Sequence, residues 1–150
     1  MNLYTDASAL LKQYVVEPGS RQTRALLELA EQLAASTITP VEVSSALVKS
    51  VRTKTITRNQ ASHALAAFQR SWSDFVQLEI SEPIVERAVD LTWTHGLRAY
   101  DAVHLAAALF WQLGLDEKVT FATFDHLLWS AAQTEGLNVY PQEWSTVASG

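Results

Sequence analysis

Apolar positions along this chain switch repeatedly between two periods. Short runs that are continuous or alternate residue by residue are separated by longer segments in which apolar side chains recur every three or four residues. Residues 2–5 read as a first strand and residues 7–15 as a short helix, closed by Glu17-Pro18-Gly19. Ser20 is placed to cap a helix through about residue 33, with Ala25, Leu26, Leu29 and Leu33 on one face, and residues 36–39 read as the second strand. Thr39-Pro40-Val41-Glu42 then opens a helix to about residue 52, with threonine at the N-cap, proline first in the helix and glutamate third. Thr57-Arg58-Asn59-Gln60 repeats the capping logic for a helix to about residue 72.

The second half continues the alternation. Residues 75–80 are strand-like, and Ser81 starts a helix ending at His95-Gly96. A helix over residues 99–113 stops at Gly114, residues 118–122 form a strand, residues 125–135 a helix closed by Gly136, and residues 137–140 a last strand. Strands and helices in turn, with short connections, predict an α/β fold: a mostly parallel central sheet flanked by helices on both faces. The 150 residues contain no linker of boundary character, no repeat and no glycine-rich phosphate loop, so a single domain over 1–150 is expected.

Composition narrows the class. With 48% hydrophobic residues and only 5 glycines and 4 prolines, disorder and low complexity are excluded for the chain as a whole. The chain has no cysteine, which removes disulfides, zinc–thiolate sites and a cysteine nucleophile. The most apolar stretch, residues 105–111, is far short of the ~20 residues a membrane helix needs, and Asp6 interrupts any leader-like apolar run. A soluble cytoplasmic protein is the expectation.

Charge argues in a less direct way. The net charge of −5 by itself disfavours a nucleic-acid partner, since phosphate binding draws on a basic footprint. The balance is uneven, however: +2 over residues 1–75 and −7 over residues 76–150.

Four of the acids stand in unusual places. Asp6 directly follows the first strand, and Asp125 follows the strand at 118–122. Open α/β sheets bind ligands at the carboxyl ends of their strands, where the winding reverses. Glu42 and Asp101 lie near the starts of helices in otherwise apolar surroundings. Converging carboxylates repel and raise one another's pKa unless a hard cation with oxygen ligands, magnesium or manganese, joins them. Each acid also has a purely local reading: Asp6 as an N-cap, Glu42 as the third residue of a capping box, Asp101 as a partner of the helix dipole, Asp125 as a turn residue. Four such coincidences are less expected than one acidic, metal-binding pocket.

The segments Leu3-Tyr4-Thr5-Asp6-Ala7-Ser8-Ala9-Leu10, Thr39-Pro40-Val41-Glu42-Val43-Ser44-Ser45-Ala46-Leu47, Ala99-Tyr100-Asp101-Ala102-Val103-His104-Leu105-Ala106 and Phe121-Ala122-Thr123-Phe124-Asp125 resemble, in this order, the motifs of PIN-domain nucleases, in particular VapC-type toxins of bacterial toxin–antitoxin pairs. The resemblance covers nearly the whole chain. It implies a PIN-like fold in which the strands before Asp6 and Asp125 are neighbours. It also implies that Asp6, Glu42, Asp101 and Asp125 surround Mg2+ or Mn2+ for hydrolysis of RNA phosphodiester bonds, leaving 5′-phosphate and 3′-hydroxyl ends. Ser8 and Thr123 match the supporting hydroxyls. The implied partners are an RNA substrate, a cognate antitoxin and a second copy of the chain in a homodimer, with helices 21–33 and 49–72 walling the antitoxin groove.

Other features are weighed beside it. His104, three residues after Asp101, and His126, beside Asp125, could form transition-metal pairs, but structural or solvent-facing roles are favoured. Lys49, Arg52, Lys54 and Arg58 are the densest basic run and fit a solvated helix end or a phosphate-backbone contact, with Lys12 and Arg98 as further RNA contacts. Core packing is expected to explain most of the 5 tryptophans. The competing functions are a magnesium-dependent phosphatase or phosphotransferase, which wants a second acid at Ser8 and a lysine after a later strand, and a non-catalytic binding module that keeps the acidic pocket. Assigning four acids to a cation also answers the charge objection, because the distribution of charge around one pocket counts for more than its sum.

Overall fold

The computed structural model describes residues 1–144. Five strands form one sheet, β1 (Asn2–Thr5), β2 (Gln32–Ser36), β3 (Val76–Leu78), β4 (Val119–Ala122) and β5 (Asn138–Tyr140), in the order β3-β2-β1-β4-β5. All pairings are parallel. Seven α-helices cover the sheet: α1 (Ala7–Tyr14), α2 (Ser20–Glu28), α3 (Thr39–Arg52), α4 (Arg58–Ser71), α5 (Glu82–His95), α6 (Ala99–Leu115) and α7 (His126–Thr134). The chain winds outward from β1 through β2 to β3, then returns to place β4 on the other side of β1. The reversal therefore falls between β1 and β4, whose register runs to Thr5 opposite Ala122.

The central strands are buried on both faces, and their side chains are divided among three clusters, the smallest holding Leu3 and Ala122 with Ala9. Tyr4 and Ala34 pack with Leu91, Leu105 and Leu128 beneath α5, α6 and α7. Ala35 packs with Leu10, Val43, Leu47 and Phe68 beneath α1, α3 and α4. Alternation of this kind is the period-2 geometry of a strand covered by helices on either side.

Several boundaries differ from the sequence reading. The helix expected over 20–33 ends at Glu28, and the second strand comes earlier, at Gln32–Ser36 rather than 36–39. Leu29, counted on the apolar face, is 72% exposed. Leu33 falls at the end of the expected helix, and Ala34 and Ala35 lie between it and the expected strand. They are a strand because they pair with β1, and alanine lets helices approach both faces closely.

Thr39 is the first helical residue of α3, not its N-cap, which is Ile38. The third strand keeps only Val76–Leu78 of the expected 75–80. Gly114 does not end α6. The helix continues to Leu115 and closes on Asp116 in the left-handed region at φ 55. Gly96 does close α5 as expected, at φ 67, where a side chain would be strained. The capping box at Thr57 and Gln60 is present in full. Of the tryptophans, Trp111 is buried, whereas Trp93 is 88% exposed, and Trp129 stacks on His126 while Trp144 meets both rings at a tilt. No helix among the described residues is long and apolar enough to cross a membrane.

Candidate active site

Two turns leave the sheet side by side at the reversal, β1 into α1 and β4 into α7, and each begins with an aspartate. Asp6 is the N-cap of α1 and Asp125 the N-cap of α7. Capping uses one oxygen of each: Asp6 Oδ1 accepts from the Ala9 amide at 2.9 Å and Asp125 Oδ1 from the Leu128 amide at 2.9 Å. The local reading of Asp6 as an N-cap is thus correct and insufficient, Asp125 is an N-cap rather than a turn residue, and the second oxygen of each is left for other partners.

Two hydroxyls tie the turns together. Ser8 Oγ donates to Asp6 Oδ1 at 2.7 Å and accepts from the Phe124 amide at 2.9 Å. Thr123 Oγ1 donates to Asp6 Oδ2 at 2.6 Å and accepts from the Asp125 amide at 3.1 Å. Asp6 is 5% exposed, and its three donors leave one acceptor direction, on Oδ2. Burial raises the Asp6 pKa, while His104, Thr123, Ala9 and Ser8 pull it back.

Asp101 lies in the first turn of α6. Its pKa is raised by burial and by repulsion from Asp125 and Asp6, with Arg98 opposing. Arg98 spans Asp101 and Asp125, its Nε and Nη2 each donating at 3.3 Å, although its side chain is 82% exposed. Glu42 is in the first turn of α3, but no capping box forms there. Its Oε1 instead accepts from Nε2 of His104 at 2.5 Å. The charges of Asp6, Glu42 and Asp101 all act on His104, so the acids share one locality.

The expected basic residues divide. Lys49 and Arg98 line a cleft of about 720 Å3 together with Ser8, Glu42 and Tyr100. Lys12 borders the same cleft but is buried, its Nζ donating to Pro18 O at 2.6 Å and pairing with Glu17 at 3.3 Å. Arg52 lies in a separate groove of about 330 Å3 between α3 and α4, with Val48, Leu65 and Arg58. Lys54 follows α3 in the left-handed region at φ 59.

His104 and Tyr4 are the residues that sequence reasoning underrated. His104 is 1% exposed, and Tyr4 Oη meets its Nδ1 at 2.8 Å. The spacing of His104 from Asp101 was a usable signal, but it suggested a ligand pair rather than a partner for Glu42. His126 packs against Trp129 and Trp144.

The features required of a phosphatase are missing from this arrangement. Ser8 serves Asp6 as a hydroxyl donor, and Lys118 donates to Gly136 O at 2.7 Å, before β4 begins.

The family model for the PIN domain matches residues 3–132. The chain belongs to the PIN domain family. Ribonuclease VapC45 and Ribonuclease VapC49 of Mycobacterium tuberculosis are each 32% identical to it over 145 residues, covering 94% of this chain and 96% of theirs. Among solved structures, FitAcB from Neisseria gonorrhoeae superimposes with a TM-score of 0.66 at 20% identity, covering 93% of this chain and 97% of that one. A toxin–antitoxin complex from Klebsiella pneumoniae gives 0.54 at 24% identity, covering 80% and 84%. These likenesses agree with the fold: one PIN domain with five parallel strands flanked by seven helices.

Proposed function

We propose that this chain is a metal-dependent endoribonuclease acting as the toxin of a toxin–antitoxin pair. The observation that carries the reading is the meeting of Asp6 and Asp125 at the sheet reversal, tied by Ser8 and Thr123 and joined to Asp101 through Arg98. The ribonuclease relatives and the toxin–antitoxin likeness support it.

The residues suit a hard divalent ion. Asp6, Glu42, Asp101 and Asp125 offer carboxylate oxygen alone, and beside burial the Asp101 pKa is raised by repulsion from Asp125 and Asp6, negative charge that a cation would relieve. Among the described residues no three such side chains already stand as a closed ligand cage. Magnesium keeps several waters and takes only one or two carboxylates directly. When bound, such an ion supplies a water of lowered pKa and offsets phosphate charge.

The chain's own residues supply orientation. Ser8, Thr123 and the Ala9 amide hold Asp6 with one Oδ2 direction free, and the α7 N-terminus holds Asp125. Lys49 and Arg98 flank the cleft as contacts to the RNA backbone, with Arg98 moving from carboxylate to phosphate. In the hydrolysis, water oxygen bonds to phosphorus as the bond to the ribose 3′-oxygen breaks. That oxygen leaves with a proton, giving the 5′-phosphate and 3′-hydroxyl ends.

The partners follow the same reading. The groove between α3 and α4, apolar at Leu47, Val48 and Leu65 and edged by Arg52 and Arg58, is assigned to an antitoxin segment. Exposed Val85, Val89 and Trp93 on α5 and Phe110 and Leu113 on α6 are assigned to contact between two copies. We place the protein in the cytoplasm.

Purified chain should cleave RNA with Mg2+ or Mn2+, and Asp6→Asn or Asp101→Asn should abolish cleavage with the fold intact. Cleavage at the wild-type rate in excess chelator would overturn the assignment. Phosphate release from small phosphoesters without RNA cleavage would favour the phosphatase alternative. Relief of growth arrest by Asp6→Asn separates a catalytic toxin from a binding module.

A further inference from the structure

Glu42 and His104 are 62 positions apart and meet at 2.5 Å, across α3 and α6. A carboxylate only accepts, so Nε2 of His104 carries the proton, and Nδ1 of the neutral ring accepts from the Tyr4 hydroxyl at 2.8 Å. The series Tyr4, His104, Glu42 thus runs from β1 through α6 to α3. Its first two members are buried to 0% and 1% exposure, while the Glu42 side chain keeps 24%.

Packing holds both rings. Tyr4 stacks on Phe121 at 5.3 Å with 8° between planes and meets His104 edge-on at 5.9 Å. Rotation of either ring would strand buried polar atoms, so the outer end of the series, the Glu42 carboxylate, is held in one direction. With both ring nitrogens engaged, His104 has no lone pair left for a cation, which excludes it as a ligand beside Asp101.

We propose that His104 is a positioning residue that aims the Glu42 carboxylate into the cleft it lines with Ser8 and Arg98, and that Tyr4 positions His104 in turn. The inference rests on the reading that Asp6, Glu42, Asp101 and Asp125 hold a divalent cation. A lone glutamate in a first helical turn samples several rotamers, and holding it in place removes that entropy before an ion arrives. Partners that orient a ligand in this way are typically worth roughly 10–100-fold in metal affinity.

The test is Mn2+ binding to the full chain without RNA, by titration calorimetry, with folding checked by circular dichroism. His104→Leu should weaken Mn2+ binding about 10-fold. His104→Gln, whose amide returns a donor near the place of Nε2, should recover most of the loss. Tyr4→Phe, which keeps the ring on Phe121 and removes only the hydroxyl, should weaken binding by a smaller factor. Neither His104→Leu nor Tyr4→Phe should weaken it further once Glu42→Ala is present.

Losses that persist undiminished beside Glu42→Ala overturn the positioning role, as does wild-type affinity in both single variants. If His104→Leu does not fold, Tyr4→Phe carries the same comparison alone. Equal Mn2+ binding by wild type and Asp6→Asn overturns the metal reading itself, and the inference with it.

Discussion

Thr123 Oγ1 stands 2.6 Å from Asp6 Oδ2, a hydrogen bond between residues 117 positions apart that closes the seam between β1 and β4. The same hydroxyl accepts from the Asp125 amide, so one side chain orients both aspartates. The two strands are paired up to this point, and the threonine extends their register from backbone to side chain.

Replacing that hydroxyl should therefore be costly in two ways. Thr123→Val keeps shape and burial but leaves a buried Asp6 oxygen and the Asp125 amide short of a partner. A loss of about 1–3 kcal/mol is expected by urea denaturation. RNA cleavage should fall with it, and Thr123→Ser should restore most of both.

The pH dependence of stability has a definite sign. Asp6 and Asp101 have raised pKa values in the fold, so the unfolded chain releases their protons first, near the ordinary value of 3.8, and folding becomes less favourable as pH rises past it. For His104, burial alone would lower the pKa, but Glu42, with Asp6 and Asp101, outweighs it and raises the value above 6.5. The stability this contributes is complete below 6.5 and is lost as pH rises through the folded value. Metal-free protein should accordingly resist urea better at about pH 6 than at about pH 8, and His104→Gln should flatten that difference.

Salt dependence separates the lysines. Each phosphate contact to single-stranded RNA contributes about 0.7 to the slope of log affinity against log salt. Lys49→Ala and Arg98→Ala should each reduce the slope by about that amount with little change in stability. Lys12→Met should leave the slope alone and cost about 1–3 kcal/mol of stability, because its Nζ is bonded to Pro18 O and lies 4.3 Å from the Phe124 ring centre. Equal slopes for wild type and Lys49→Ala would remove Lys49 from the RNA path.

Metal should stabilise the fold by mass action. At one hundred times the dissociation constant, Mn2+ is expected to add about 2.7 kcal/mol, read as a rise in melting temperature. Asp6→Asn should abolish the rise while melting as a folded protein in the absence of metal.

Much of this was legible in the sequence because it depends on local rules. The change of period along the chain marks strands and helices, Thr57 and Gln60 cap α4 as their spacing requires, and Gly96 ends α5 where a left-handed residue is needed. Asp6 and Asp125 were visible as acids at strand ends, and the order of the motifs carried the family. Residues 32 and 33 extend the expected helix because glutamine and leucine suit one locally, and only pairing with β1 makes them a strand.

Tertiary structure decided what depends on distance in space rather than in sequence. Nothing local to Glu42 indicates His104, 62 positions away. Capping signals say that a carboxylate suits a helix start but not where its second oxygen points. The parallel order β3-β2-β1-β4-β5 brings Thr123 to Asp6 and α6 across Tyr4. The physical reason is that buried polar atoms must find partners wherever the packed chain supplies them.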